Sequence, residues 1–226
     1  HTAANIAMTT AGATTLNVGA QTVTGTYALA DEAGVLKVTA TADISGINAG
    51  GVTTAENLDL TTVALINATM TEAQYDGFTG ITANAGNDTI TIEAGAIATI
   101  ATDVDIGTYV IQDDTNNAYT VSIAATDNAD ITSTTADDVI TLSLAGGVTY
   151  TGILAIADNA GHKTVLGVGT TVISGAQLDD MAILDMSTSG AVLTTMTEAQ
   201  NEVFAALGAA AILGDGTDDR ITIAAG

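Results

Sequence analysis

The chain has no cysteine, no proline and no tryptophan. Without cysteine there is neither a disulfide framework nor a thiolate metal site. Proline makes up about 5% of an average chain, and its absence leaves every residue with a backbone N–H, which suits long hydrogen-bonded ladders. Two Phe and five Tyr are the whole aromatic complement. Any core must therefore be thin and built from small or β-branched side chains.

Positive charge is almost as scarce. Lys37, Lys163 and Arg220 stand against 26 acidic residues, for a formal net charge of −23. Phosphate backbones are repelled, which argues against a nucleic-acid partner, and anionic membrane surfaces are disfavoured by the same sign. No apolar run approaches the ~20 residues of a membrane span. His1-Thr2-Ala3-Ala4 does not read as a signal peptide, and a start other than Met fits a processed chain or an excised segment. Self-repulsion of this size opposes a compact state unless cations screen it.

With 47% hydrophobic residues over 226 positions, the chain has enough apolar surface to fold. Its strongest positive signal is repetition. Gly25-Thr26-Tyr27-Ala28-Leu29-Ala30-Asp31-Glu32 returns as Gly107-Thr108-Tyr109-Val110-Ile111-Gln112-Asp113-Asp114, and Ala42-Asp43-Ile44-Ser45 as Ala129-Asp130-Ile131-Thr132. Thr69 to Gln74 recurs identically at Thr195 to Gln200, and Asp88 to Gly95 recurs as Asp219 to Gly226. Four blocks in one order indicate tandem copies of a structural unit. We read repeat one as residues 1–95 and repeat two as 96–226, with an insertion around 138–195 that carries a third Asp-x-Ile-Thr strand start at Asp138. The matched ends at Gly95 and Gly226 suggest further copies in a parent chain.

Alternating apolar and polar residues, as in Tyr119-Thr120-Val121-Ser122-Ile123 and Ile140-Thr141-Leu142-Ser143-Leu144, are the strand signature. The expected class is mainly β, an extended tandem-repeat protein with a parallel β-solenoid and short capped helices; tandem β-sandwich modules are the alternative. The Tyr109 to Ile123 segment, with its turn at Asp113 to Asn117, reads as a local antiparallel hairpin. Thr71 and Thr197 each stand three residues before a Gln, a capping box that starts a short helix. Val203, Phe204 and Leu207 are expected on the packed face of the second helix, with Phe78 and Ile81 in the equivalent places of the first. Ser174 to Met181 reads as a third helix start.

Gly86-Asn87-Asp88-Thr89-Ile90 resembles part of the calcium-binding nonapeptide of RTX proteins, and Asp137-Asp138-Val139-Ile140 and Gly216-Thr217-Asp218-Asp219-Arg220-Ile221 are similar. The resemblance implies calcium held between successive turns, with Asp88, Asp137, Asp138, Asp218 and Asp219 as ligands. The paired glycines of that family are missing here. Asp113 and Asp114 beside Asn116 form a further oxygen-rich cluster suited to calcium. The plain alternative for each is an Asp that caps its turn by bonding nearby backbone.

No Gly-x-Ser-x-Gly elbow or phosphate loop is present, and the one internal histidine, His162, lies in the polar run Asp158 to Lys163. We expect no enzymatic activity; a β-helix enzyme using paired carboxylates on polysaccharide is the third-ranked reading. The acid-rich, Thr/Ala/Gly-rich, cysteine-free character resembles bacterial surface-layer and large secreted adhesin segments. That resemblance implies an extracellular structural segment stabilised by calcium and associating head to tail. A ligand-binding adhesin module is the second reading, with a cell-surface glycan as partner.

Overall fold

A computed structural model describes residues 6–8, 15–22, 24, 27–29, 35–47, 56–62, 65–84, 88–93, 99–103, 106–112, 118–133, 139–156, 161–178, 181–188, 190–208, 211–216 and 218–225. Along the chain the elements are β1 (Ile6–Met8), β2 (Thr15–Val18), β3 (Tyr27–Leu29), β4 (Val35–Val38), β5 (Ala42–Asp43), β6 (Glu56–Asp59), β7 (Asn67–Thr71), α1 (Glu72–Gly77), β8 (Phe78–Thr82), β9 (Asp88–Glu93), β10 (Thr99–Ala101) and β11 (Ile106–Ile111). There follow β12 (Ala118–Ile123), β13 (Asp130–Ser133), β14 (Val139–Leu144), β15 (Leu154–Ala155), β16 (Lys163–Leu166), β17 (Gly169–Val172), β18 (Ile183–Met186), β19 (Val192–Thr197), α2 (Glu198–Ala206), β20 (Ile212–Gly214) and β21 (Arg220–Ala224).

The chain divides into two compact units, one of His1–Ile97 with Asp105–Asp114 and one of Ala98–Val104 with Thr115–Gly226. In the first, β1 pairs β3, the order β2-β4-β6-β8 makes a second sheet, and β5, β7, β9 and β11 pair in that order. In the second unit β10-β12-β14-β16-β18-β20 form one sheet, β17-β19-β21 another, and β13 pairs β15. Each of these pairings is parallel. Each of these pairings joins strand n to strand n+2, so each unit is a parallel β-solenoid in which the chain climbs one coil at a time. Hydrogen bonds between neighbouring coils join residues about one coil of chain apart, 21 positions from Thr39 to Val18, 22 from Ile66 to Asp88 and 27 from Val192 to Asp219.

Period-two patterning is what makes the coil. Every second residue of β14 is buried, in the pattern iBiBiB along Val139–Leu144. Register then stacks like on like: Tyr119, Val121 and Ile123 of β12 lie opposite Ile140, Leu142 and Leu144 of β14, and all six are at most 2% exposed. In the first unit Ala68, Ile90 and Tyr109 form one such column and Met70, Ile92 and Ile111 the next. Burial of each large aliphatic side chain contributes about 1.5–3 kcal/mol. The outward residues of β12 and β14, Thr120, Ser122, Thr141 and Ser143, stay half-exposed, so these parallel sheets show the one-sided alternation more usual of antiparallel ones.

Several expectations need correction. The parallel pairing rules out sandwich modules among the described strands. Tyr109 to Ile123 is not a hairpin, because β11 pairs with β9 while β12 pairs with β10 and β14, all in parallel. No helix starts at Ser174: Ala176 N–H bonds Ile173 O at 2.9 Å to close a turn, and Gln177 bridges to Ile153. The first helix stops at Gly77, so Phe78 and Ile81 belong to β8 rather than to a helical face. In α2 Phe204 is buried at 1% exposure, whereas Leu207 lies past the end of the helix and is 57% exposed.

Close approach of backbone fixes one turn of the second unit. A Cβ on Gly146 would lie 1.8 Å from Val168 O, a clash that needs backbone to move. Gly146→Ala is expected to cost more than about 2 kcal/mol. The check is the chemical denaturation midpoint against wild type; an unchanged midpoint would refute the close approach.

Candidate functional site

The features that recur in both units are side chains that fasten one coil to the next. The two helix starts come first. Thr71 Oγ1 accepts from Gln74 N–H at 3.2 Å, while Gln74 Oε1 accepts from Thr71 N–H at 2.8 Å. Thr197 and Gln200 repeat the arrangement at 3.2 and 2.8 Å. Both capping boxes are formed, each satisfying two N–H groups that a helix start leaves open.

The remaining end of each glutamine reaches into the preceding coil. Gln74 Nε2 donates to Ile44 O at 2.8 Å and to Ile47 O. Gln200 Nε2 donates to Ile173 O at 2.8 Å and Ala176 O at 2.7 Å. The receiving turns are themselves alike, Ile44-Ser45-Gly46-Ile47 and Ile173-Ser174-Gly175-Ala176. Gln74 and Gln200 are buried, at 1% and 7% exposure, so each closes a turn whose carbonyls water cannot reach. The sequence pattern shows the capping half of this role. The second half was missed, and the signal for it was the repeated Ile-Ser-Gly turn about one coil upstream.

Acidic residues do the same at strand mouths. Asp88, fully buried, accepts Ile66 N–H on Oδ1 at 3.0 Å and Asn84 N–H on Oδ2 at 2.8 Å. Asp219 accepts Val192 N–H at 2.9 Å and Asp215 N–H at 3.3 Å in the corresponding places. His162, at 1% exposure, takes this position in another coil: its Nδ1 accepts Ile140 N–H at 2.9 Å. In all three cases the acceptor lies in register with the donor one coil below. The imidazole nitrogen of His162 thus accepts in the place that a carboxylate oxygen takes at Asp88 and Asp219.

Of the residues expected to hold calcium, Asp113, Asp114, Asp137 and Asp138 lie outside the described residues. Asp88 sits in the first unit with both oxygens turned to N–H donors. Asp218 and Asp219 adjoin in the second, Asp218 exposed and Asp219 half-buried. The described residues hold no group of three or more His, Asp and Glu side chains arranged to bind a metal.

Two other acidic residues form surface clips. Lys37 lies 2.6 Å from Asp59, one coil on, and Lys163 lies 4.0 Å from Asp185. Both aspartates also accept from a hydroxyl residue two positions on, Thr61 and Ser187. Burial pushes the Asp59 carboxyl up, but the Lys37 ammonium and the Thr61 donors outweigh it and hold it below its usual value. At Asp185 the Ser187 donors and Lys163 likewise overcome burial. Tyr150, fully buried, donates to Ala129 O at 2.9 Å; burial first, then Asp130 and Asp127, raise its phenol far above the ordinary range, so it stays a neutral donor.

Chemically, this arrangement spends hydrogen-bonding side chains on backbone, coil to coil. No family model, curated protein or solved structure matches the chain.

Two predictions follow from these bonds. Glu at the third helical position normally completes a capping box, yet Gln200→Glu places carboxylate oxygen against Ile173 O and Ala176 O. It should destabilise by about 2–4 kcal/mol, at least as much as Gln200→Ala; a neutral or stabilising effect in urea unfolding refutes the second role. In acid, the depressed carboxyls of Asp59 and Asp185 contribute stability that is present above the ordinary value of 3.8 and is lost as pH falls through their folded-state values. Asp59→Asn with Asp185→Asn should therefore flatten the stability–pH curve below about pH 4, and parallel curves for variant and wild type would contradict the assignment.

Proposed function

We propose that this chain is a non-catalytic structural segment of an extracellular surface layer, filament or large repetitive adhesin, built to stack with like segments and stabilised by calcium. The observation that carries the reading is the reuse of one fastening scheme. Gln74 and Gln200, and Asp88 and Asp219, make matching bonds in the two units. These side chains serve the backbone, and the scheme recurs from one unit to the other. Such modularity suits arrays whose stability is nearly a sum over repeats and their interfaces.

Calcium enters through charge. A net charge of −23 repels like segments at close range, and a divalent cation relieves that repulsion between turns carrying exposed carboxylates such as Asp218. The RTX resemblance fits this proposal in its strand starts, but Asp88 and Asp219 serve backbone N–H groups. Asp113, Asp114, Asp137, Asp138 and Asp218 are accordingly the preferred ligands in this reading. A cell-surface glycan remains the partner class for an adhesin.

Calcium should raise the melting temperature more than sodium chloride of equal ionic strength. A specific site occupied at a hundredfold excess over its dissociation constant stabilises by about 2.7 kcal/mol. Scanning calorimetry in chelator, in sodium chloride and in millimolar calcium reads this out, and superimposable calcium and sodium curves would eliminate the specific sites.

A further inference from the structure

Four threonines are buried among the described residues, Thr91, Thr164, Thr171 and Thr194, each at most 3% exposed. Thr91, in the first unit, donates its hydroxyl to Asn67 Oδ1 at 2.8 Å. The hydroxyls of Thr164, Thr171 and Thr194 have no hydrogen-bond partner. All three lie in the stretch 138–195 that repeat one lacks. They interrupt the aliphatic columns there: Thr164 stands between Leu142 and Leu184, and Thr171 lies opposite Thr194 of the adjacent strand. A hydroxyl buried in this way loses its water without a replacement, which weakens the closed structure around it.

The three hydroxyls gather at one coil, which runs from His162 to Leu178 through β16, β17 and the turn at Ile173 to Ala176. Thr164 and Thr171 belong to it, and Thr194 faces it from the next coil. Its ladders are also short. β12 and β14 pair over six residues, β14 and β16 over four, and β16 and β18 over three. Its surface clip is looser, with Lys163 at 4.0 Å from Asp185 where Lys37 is at 2.6 Å from Asp59. Two side chains clasp the coil near its ends. His162 Nδ1 accepts from Ile140 N–H at 2.9 Å, and Gln200 Nε2 donates to the Ile173 and Ala176 carbonyls.

We propose that the coil from His162 to Leu178 is a release point built into the second unit, clasped by Gln200 and opening ahead of the other coils. In the closed state three hydroxyls go without hydrogen bonds, and on opening water supplies all of them. The free-energy gap between closed and open is therefore narrower here than where the columns are wholly aliphatic. Drawn out, the freed coil lengthens the chain by roughly 60 Å, while the columns of β12 and β14 stay packed. A structural segment under tension thereby yields at one place. The proposal goes beyond the array reading and does not depend on it, because the isolated chain opens in the same way.

Native-state hydrogen exchange of the full chain reads the opening directly. Amides of β16 and β17 should exchange about tenfold or more faster than those of β9 and β12. Thr171→Val with Thr194→Val keeps the side-chain shape and removes two of the hydroxyls; it should slow exchange in β16 and β17 by roughly tenfold or more. Thr91→Val removes a hydroxyl that is bonded and should speed exchange in β9. Gln200→Ala opens the clasp and should speed exchange in β17 while leaving β9 unchanged. Uniform protection across these strands overturns the proposal. So does exchange in the double variant that is unchanged or faster, because hydroxyls that stabilise the closed coil cannot favour its opening. Equal slowing by Thr91→Val would make the effect one of strand propensity and overturn it as well.

Discussion

A parallel solenoid has one recurring weakness, the mouth of each strand. There the chain arrives from a loop, and the first N–H of the strand below has no regular partner. Buried and unpaired, each such group costs about 1–3 kcal/mol. This protein places an acceptor side chain in register above it, Asp88 over Ile66, Asp219 over Val192 and His162 over Ile140. At these junctions the same bonds hold adjacent coils in the register that stacks their aliphatic columns.

The fastenings also explain why loop length varies while register holds. Asp88 reaches a donor 22 residues away and Asp219 one 27 residues away, yet both sit at the same point of the coil. The extra residues of the longer coil fall after the shared helix start, where α2 runs nine residues against the six of α1. Gln200 then ties the helix start to the coil beneath. An insertion bounded by such ties is tolerated because loop closure costs grow slowly with length.

Functional interpretation turns on where hydrogen-bonding capacity is spent. A catalytic or binding site keeps polar groups turned to a cavity; here Gln74, Gln200, Asp88 and Tyr150 are buried and turned to backbone. Two of the three basic residues lie beside carboxylates one coil away, in surface pairs worth at most about 1 kcal/mol each. The surplus negative charge has no comparable internal outlet.

Local pattern determined what local physics controls. The alternation from Ile140 to Leu144 dictates a half-buried strand, and Thr71-x-x-Gln74 a helix start, because each depends on residues within one element. Strand direction does not: Tyr109 to Ile123 resembles a hairpin, and only the pairing of β11 with β9 and of β12 with β14 set it parallel. Ser174 to Gln177 has the spacing of a capping box, yet Gly175 lies so close to Thr151 that a Cβ would meet its Cγ2 at 2.7 Å, and the segment forms a turn and a bridge. The backbone partner of Asp88 was hidden for the same reason: its donor Ile66 is one coil away, and no window of sequence shows which backbone a coil sets beneath a side chain. Composition and periodicity thus determined a proline-free, acidic, small-residue β-protein. Tertiary structure decided what each buried polar group touches, because in a solenoid those partners are separated by a full coil of chain.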